Sequence, residues 1–444
     1  MHLRARLRAL AFGFAAALTA AAPAFAPAFA PAFAQDKKPI KIGVIFDYTG
    51  PFAGGGSEAA AIGTKHIIEI VNEKGGVEGH RIEPIFVDAQ SKPDVAINEA
   101  VRLLTQENVD LLMGIFSSAQ CVPLAQRVDS QKAFLWATVC ISSAVFKGKD
   151  LHYVFRPQTH SDQFGEAAVE MIAHYSKPKL GIEPKDLRVA IIHEDGPYGA
   201  GCAAANEATA KKHGMNIVLK EGYSATAPDL SSLVTKLKRA RPDVIFHTGY
   251  NPDITLFMRQ ARELGLKWKA LVGHGAGHSQ IDKLQATFGN DVDYLYTVDP
   301  AAAQLLDPKK LAPGLGELTA EMVKRYKAEK KADQVPPHVS MGFNNTWIFL
   351  NDVLPRAIKT YGGWDPEALR KAALDTDIPE GGTMQGYGVK FFPPGSEMSG
   401  QNERAFPVVM QFVGHETKIV WPASIATAEP VLPLPESIPY AAGK

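Results

Sequence analysis

Two serine pairs stand where a folded chain could grip an anion. Ser117-Ser118 follows Val109–Ile115, an apolar run interrupted only by Asp110, and precedes the helical spacing of Val122, Leu124, Ala125 and Val128. Ser142-Ser143 follows a second apolar run that begins at Ala133. The start of a helix presents backbone N–H groups without internal partners and the positive end of its dipole, and hydroxyls add donors. Open parallel sheets bind ligands outside the carboxyl ends of their strands. Two neighbouring strand ends of this kind predict an anion site. The alternative at Ser117 or Ser118 is a serine that merely caps its own helix.

The elements needed to position these ends are legible along the chain. Strands are predicted at Ile40–Phe46, His80–Val87, Val109–Ile115 and Phe134–Ala137, with helices at Ser57–Asn72 and Pro93–Glu107 and a third after Ser118. After a break at Arg156–Gln163 the alternation restarts, with strands at Leu187–His193, Met215–Lys220, Val244–His247 and Ala270–Val272. Repeated β-α-β units imply parallel sheets covered by helices on both faces. The fold class is therefore α/β, with two similar doubly wound lobes. Long helices return in 299–388, including His338–Lys359, and Phe391-Phe392 and Phe406–Phe412 read as late strands. Pro407 favours an edge position for the last of these. From Ala423 the Pro/Ala-rich tail is expected to be loosely held.

Residues 1–34 have the pattern of a secretory signal. Arg4, Arg6 and Arg8 precede the apolar stretch Ala9–Ala22, and a repeated Pro-Ala-Phe-Ala ends at Ala34, with Ala26 and Ala30 as alternative cleavage points. No Cys follows any of them, which argues against a lipid anchor. Removing this segment leaves 44 basic and 47 acidic residues, because the whole chain has 47 of each and three Arg lie within 1–34. That balance suggests neither nucleic acid nor a membrane surface as partner. Three cysteines in an oxidising compartment allow one disulfide. Cys121 and Cys140 lie just beyond two strands expected to be neighbours and form the predicted pair, leaving Cys202 free.

Enzyme signatures are weak. Gly54–Ala59 fits G-x-G-x-x-A and Asp88 ends the next strand, but seven residues separate the preceding strand from the first glycine, where a dinucleotide turn is tight. His274 and His278 are four apart, yet His-Gly-Ala-Gly-His is too glycine-rich for a helical metal pair, and no Cys/His zinc spacing occurs. No nucleophile is set beside a base. No catalytic residue, metal or cofactor is expected.

The segments Lys41–Ala53, Val71–Gly79, His193–Gly199, Asp229–Leu237, Asp243–Tyr250 and Arg259–Gly265 resemble the branched-chain amino-acid-binding family of periplasmic solute-binding proteins, over essentially the whole chain after residue 34. The resemblance implies two lobes that close on a small ligand and deliver it to an inner-membrane ABC permease, and a monomer in the periplasm. It assigns 38–160 with 299–388 to one lobe and 161–298 with 389–424 to the other, followed by a tail at 425–444. Crossovers are then expected near 157–162, 295–300 and 385–392.

Carried over by position, the resemblance implies that Ser117 and Ser118 hold a ligand carboxylate and that Cys140, Ile141 and Ser142 add contacts. Tyr198 and Tyr250 would close over the ligand. Relatives that take amino acids place an acid in the loop after Ala270–Val272, where this chain has Gly275 flanked by His274 and His278. An ammonium buried without a carboxylate is costly. Gly54-Gly55-Gly56 leaves room where relatives place a bulky contact. The expected ligand is therefore a small organic acid, of the aromatic carboxylate branch, with a ring hydroxyl meeting His274 or His278. Alternatives are an amino-acid, amide or urea binder, a ligand-sensing receptor and, less favoured, a nucleotide-linked enzyme.

Overall fold

The computed structural model describes residues 37–442, apart from Asp333 and His415. The signal segment lies outside the described residues. The early strands are apolar on both faces, as parallel strands covered by helices must be. They are β1 (Ile40–Phe46), β2 (Ile82–Asp88), β3 (Leu111–Gly114), β4 (Leu135–Ala137) and β5 (Val154–Phe155). They form a parallel sheet in the order β2-β1-β3-β4-β5, so β3 and β4 are neighbours. Their carboxyl ends carry the two serine pairs side by side.

The second sheet has seven strands: β6 (Arg188–Glu194), β7 (Asn216–Tyr223), β8 (Val244–Thr248), β9 (Ala270–His274), β10 (Tyr296–Asp299), β11 (Val408–Val413) and β12 (Glu416–Trp421). The order is β12-β11-β10-β9-β8-β6-β7, parallel from β7 to β10 and antiparallel through β11 and β12. The edge expected at Phe406–Phe412 is thus taken by β12. β11 lies inside the sheet, and Pro407 stands just before it, where its missing N–H costs no ladder bond.

The chain passes between the two halves three times. After β5 it runs into the helix Ser161–Tyr175, which packs on the helix Pro197–Lys212 of the second half. After β10 it returns, and the helix Pro337–Ile348 lies along Glu58–Glu73 on the first sheet. There Asn345 Nδ2 donates to Thr138 O at 2.7 Å, and its own carbonyl accepts from Trp136 Nε1 at 2.8 Å. The last passage comes later than expected. Phe391 still packs on Trp136 and Phe155, with ring centroids 5.6 and 5.2 Å away, and its backbone bridges Asn402. The crossing therefore lies between Asn402 and Val408, not at 385–392. Phe391-Phe392 forms only an isolated bridge because its apolar rings seal the first sheet's core.

The tail is also held more firmly than its composition suggests. Trp268 N donates to Tyr440 O at 3.0 Å, and the two rings stack with centroids 4.7 Å apart. Leu434, Ile438 and Tyr440 are buried. An aromatic stack and a β-bridge at 268/441 overcome the low intrinsic order of the sequence.

Candidate functional site

The serine loop is built by strain and capping together. Between β3 and its helix, Ile115 adopts φ +70°, an unusual left-handed conformation for a β-branched residue. Such strain persists where surrounding structure over-determines it, commonly at functional sites. Ser117 is then extended and caps the helix Ser118–Ser130, its Oγ accepting from Ala119 N at 3.2 Å. Capping and site are not exclusive here. The same Oγ lies 3.3 Å from Tyr250 Oη of the second half. Ser118 Oγ accepts from Ser142 N at 3.1 Å, and Ser142 Oγ accepts from Ala144 N at 3.3 Å. A hydroxyl that accepts from a fixed N–H still has its own O–H to donate.

The loop after β4 is pinned from behind. Cys140 is bonded to Cys121, as expected, which turns its side chain away from the cavity. The guanidinium of Arg156 is fully buried; its Nη1 donates to the carbonyls of Cys140 and Ser142, both at 3.0 Å, and its Nε donates to Gln401 Oε1 at 2.6 Å. Burial pulls its pKa down to about 9, so the cation persists at neutral pH. Val139 and Ile141, rather than Cys140, face the cavity.

The opposite wall comes from the second half. Glu194 holds the turn before Tyr198, accepting from Gly196 N and Gly199 N at 2.6 Å each. Tyr198 Oη donates to His274 O at 2.6 Å. Tyr250 begins the helix Asn251–Glu263, and its N–H donates to Asp253 Oδ1 at 2.9 Å. The two tyrosine rings lie 5.5 Å apart between centroids, with Phe52 4.4 Å from Tyr250.

Between these walls is a cavity of about 30 Å³, lined by Phe116, Ser118, Val139, Ile141, Tyr198, Tyr250, Ala276, Asp299, His338 and Met341. That is about the volume one water occupies in the liquid. Contacts draw the halves together around it: Ser117 to Tyr250, Gln280 Nε2 to His338 Nδ1 at 3.0 Å, and Lys283 Nζ to Gly54 O. Admission of a ring requires these contacts to open.

The structure corrects three sequence expectations. His274 and His278 do not reach this cavity. His274 is fully buried between Thr248 Oγ1 at 2.9 Å and Asn206 Nδ2 at 3.3 Å, while His278 Nε2 meets His247 Nδ1 at 3.3 Å. The reason is a kinked turn, with Gly275 at φ +27° and Ala276 at φ +30°, which aims Ala276 inward and the imidazoles into the helix layer. Burial lowers His274 to about 4 and His278 to about 3, keeping both neutral. Second, Gly54-Gly55-Gly56 leaves less room than expected: a Cβ on Gly55 would meet nothing nearer than 4.0 Å, but the space at Gly56 is taken. Gly56, at φ +126°, has His338 where a Cβ would stand, 2.8 Å from Cγ, so the imidazole fills the space. Third, the site does contain an acid. Asp299, at the end of β10, lines the cavity, and its Oδ1 lies 3.3 Å from the Cβ position of Gly275.

Of the predicted contacts, Ser118, Ile141, Tyr198 and Tyr250 come together on the cavity wall, with Ser117 and Ser142 bonded to members of it. Gly275 adjoins the cavity; Cys140, His274 and His278 stand behind it. Phe116, Val139, Ala276, Asp299, His338 and Met341 were missed. Asp299 carried a usable signal, an acid closing an apolar strand, whereas His338 and Met341 come from a helix more than 200 residues beyond Ser117 and Ser118. Among the described residues no cluster of side chains could hold a metal ion, and no helix is long and apolar enough to cross a membrane.

Two α/β halves, one sheet parallel and the other mixed, joined by three crossings with a cavity at their strand ends, define a two-lobed ligand-binding fold. The chain belongs to the family described as periplasmic binding protein, whose pattern matches residues 39–403. It is 34% identical over 394 residues to the Leu/Ile/Val-binding protein homolog 7 of Brucella abortus (strain 2308), covering 89% of this chain and 94% of that protein. Its fold is similar to the branched-chain amino-acid transporter substrate-binding protein LivJ of Streptococcus pneumoniae in complex with isoleucine (TM-score 0.69, 19% identity, 89% of this chain and 100% of that one). It is also similar to a solute-binding protein of an ABC transporter from Rhodopseudomonas palustris BisB5 in complex with 3,4-dihydroxybenzoic acid (TM-score 0.65, 19% identity, 84% and 93%). Each of these relatives is described as a binding protein.

Proposed function

We propose that this protein is the solute-binding component of an ABC importer, acting as a monomer in the periplasm after cleavage following Ala34, and that its two halves are lobes that close on a small organic acid. The observation that carries this reading is the first wall: Ser118, on the cavity, accepts from Ser142 N at 3.1 Å so that its O–H is left to donate, and Ser117 beside it accepts from Ala119 N at 3.2 Å with its Oγ 3.3 Å from Tyr250 Oη. Such donors, backed by the buried Arg156 cation, suit a carboxylate. Phe116, Val139, Ile141 and the two tyrosines suit an apolar body. A ring burying ~150–250 Å² at ~25 cal/mol/Å² contributes about 4–6 kcal/mol at most. Charge-assisted hydrogen bonds add ~1.5–3 kcal/mol each, enough after association costs for a dissociation constant near micromolar.

An aromatic carboxylate fits this wall. Asp299 supports a second reading, an amino acid, because it supplies the carboxylate whose absence from the Gly275 loop argued against an ammonium. A thermal-shift screen of aromatic acids, aliphatic amino acids, amides and urea tests the class, since a ligand bound only by the folded state raises Tm. A rise with carboxylic acids is expected. A rise confined to uncharged amides or urea would overturn the carboxylate assignment.

A further inference from the structure

Asp299 is a buried acid with an unusual setting. Among the described residues it forms no ion pair, and the donor to it is Ser279, whose hydroxyl binds Oδ2 and also lies 2.9 Å from Thr297 Oγ1. That small network fixes the carboxyl group without spending Oδ1. Oδ1 points instead toward the space a Cβ on Gly275 would take, where Tyr198 Oη is 3.5 Å from the same point. Phe164 Cε1 stands 3.3 Å from that point as well, so a side chain there would crowd Oδ1, and Asp299 is the one acid among the described residues that line the cavity.

Electrostatics makes this arrangement selective. An acid bound at the serine wall brings one negative charge into a site whose opposite side already has a carboxyl group. If the ligand carries nothing but its carboxylate, the two like charges share one desolvated cavity, and one of them must take a proton. If the far end of the ligand carries an ammonium, Asp299 pairs with it and the conflict is removed; a hydroxyl there gives Asp299 a hydrogen-bond donor that partly offsets it. Burial, opposed by the Ser279 hydroxyl, raises the Asp299 pKa to about 7, consistent with a carboxyl group still lacking its charged or donating partner.

We infer that Asp299 is the specificity-determining residue of the site, accepting a hydrogen bond from an ammonium or hydroxyl group at the end of the ligand opposite its carboxylate. The inference rests on the carboxylate-binding reading above. It defines the ligand as two-ended: a carboxylate for the Ser117–Ser118 wall, an apolar middle between Tyr198 and Tyr250, and a donor for Asp299. Ring-bearing hydroxy acids, and amino acids whose amine lies at the far end from the carboxylate, share this chemistry, while benzoate and simple fatty acids do not.

The test is calorimetry on the full mature chain with matched pairs, 4-hydroxybenzoate against benzoate and 4-(aminomethyl)benzoate against 4-ethylbenzoate. In at least one pair the donor-bearing member is expected to bind about tenfold to a hundredfold tighter. In Asp299→Asn that advantage should shrink to within about threefold, because the amide offers a weaker, uncharged acceptor. The wild-type comparison stands even if the variant folds poorly. Equal binding within both wild-type pairs would overturn the inference while leaving the carboxylate reading intact, as would an undiminished preference in a folded Asp299→Asn. Binding of no acid in either pair would overturn both.

Discussion

The loops after β4 and after β9 both leave a parallel strand beside the cavity, and they are held by opposite means. Residues 140–142 are tied by a disulfide, by two bonds from the buried Arg156 and by the hydroxyl of Ser118. Residues 274–278 are shaped by backbone conformation, with consecutive positive φ angles at Gly275 and Ala276 and neutral contacts from Tyr198 and Thr248. The first loop is cross-linked and presents donors from fixed positions. The second stands among titratable groups: Asp253 and Asp299, both raised to about 7 by burial, and His274 and His278, both held neutral. One wall is suited to holding the feature shared by all carboxylic acids, and the other to distinguishing among them.

If that contrast is right, damage to the first loop should be the most severe. Arg156→Met would leave the buried Ser142 carbonyl and the Gln401 side-chain oxygen without their donor, and the Cys140 carbonyl with only the longer bond from Gln158 Nε2 at 3.3 Å. At ~1–3 kcal/mol for each orphaned group, a loss of about 3–6 kcal/mol in unfolding free energy is expected from denaturant titration. A loss under ~1 kcal/mol would show that the pinning is incidental.

Ser118→Ala should act next most strongly, and chiefly on affinity. Removing a donor to a charged group costs ~1.5–3 kcal/mol, or about tenfold to more than a hundredfold in Kd. It also orphans Ser142 N, so a smaller stability loss of ~1 kcal/mol should accompany it. Unchanged affinity for every carboxylic acid would move the carboxylate to another wall.

The second loop gives the smallest effect, visible as a pH dependence. Burial holds His278 at about 3 in the folded chain, against ~6.5 when unfolded. Between those values the unfolded chain binds the proton and the folded one does not, so this histidine makes stability fall as pH falls from ~6.5. Asp253 and Asp299, raised to about 7, act in the opposite direction over ~7 to ~4, since the folded chain protonates them first. In His278→Gln the acid-side loss should be shallower by up to ~1.4 kcal/mol per pH unit between pH 6 and 4.5. An identical slope would mean that His278 is not held neutral.

The same contrast explains what could be read from the chain. Strand and helix periods placed the serine ends side by side, because β3 and β4 are short, apolar and separated by one helix. Cysteine placement at those ends then identified the disulfide. The second wall was harder, because its parts converge from distant segments. Gly275 showed where an acid was absent, but not that Asp299 reaches the same space from the neighbouring strand β10, in register at Val298 with His274. The three glycines at 54–56 promised room that a histidine 282 residues beyond Gly56 occupies. Composition misjudged the tail for a similar reason: a Pro/Ala-rich stretch gives no sign that Tyr440 will stack on Trp268.

Closure on a shared ligand is the central claim, and small-angle X-ray scattering tests it most directly. The mature chain should be measured alone and saturated with whichever acid gives the largest thermal shift. Because Ser118 and Tyr250 stand on different halves, a ligand touching both must favour the closed arrangement. The account predicts a smaller radius of gyration with ligand. A radius that stays the same at saturation would contradict it, placing the site within one half alone.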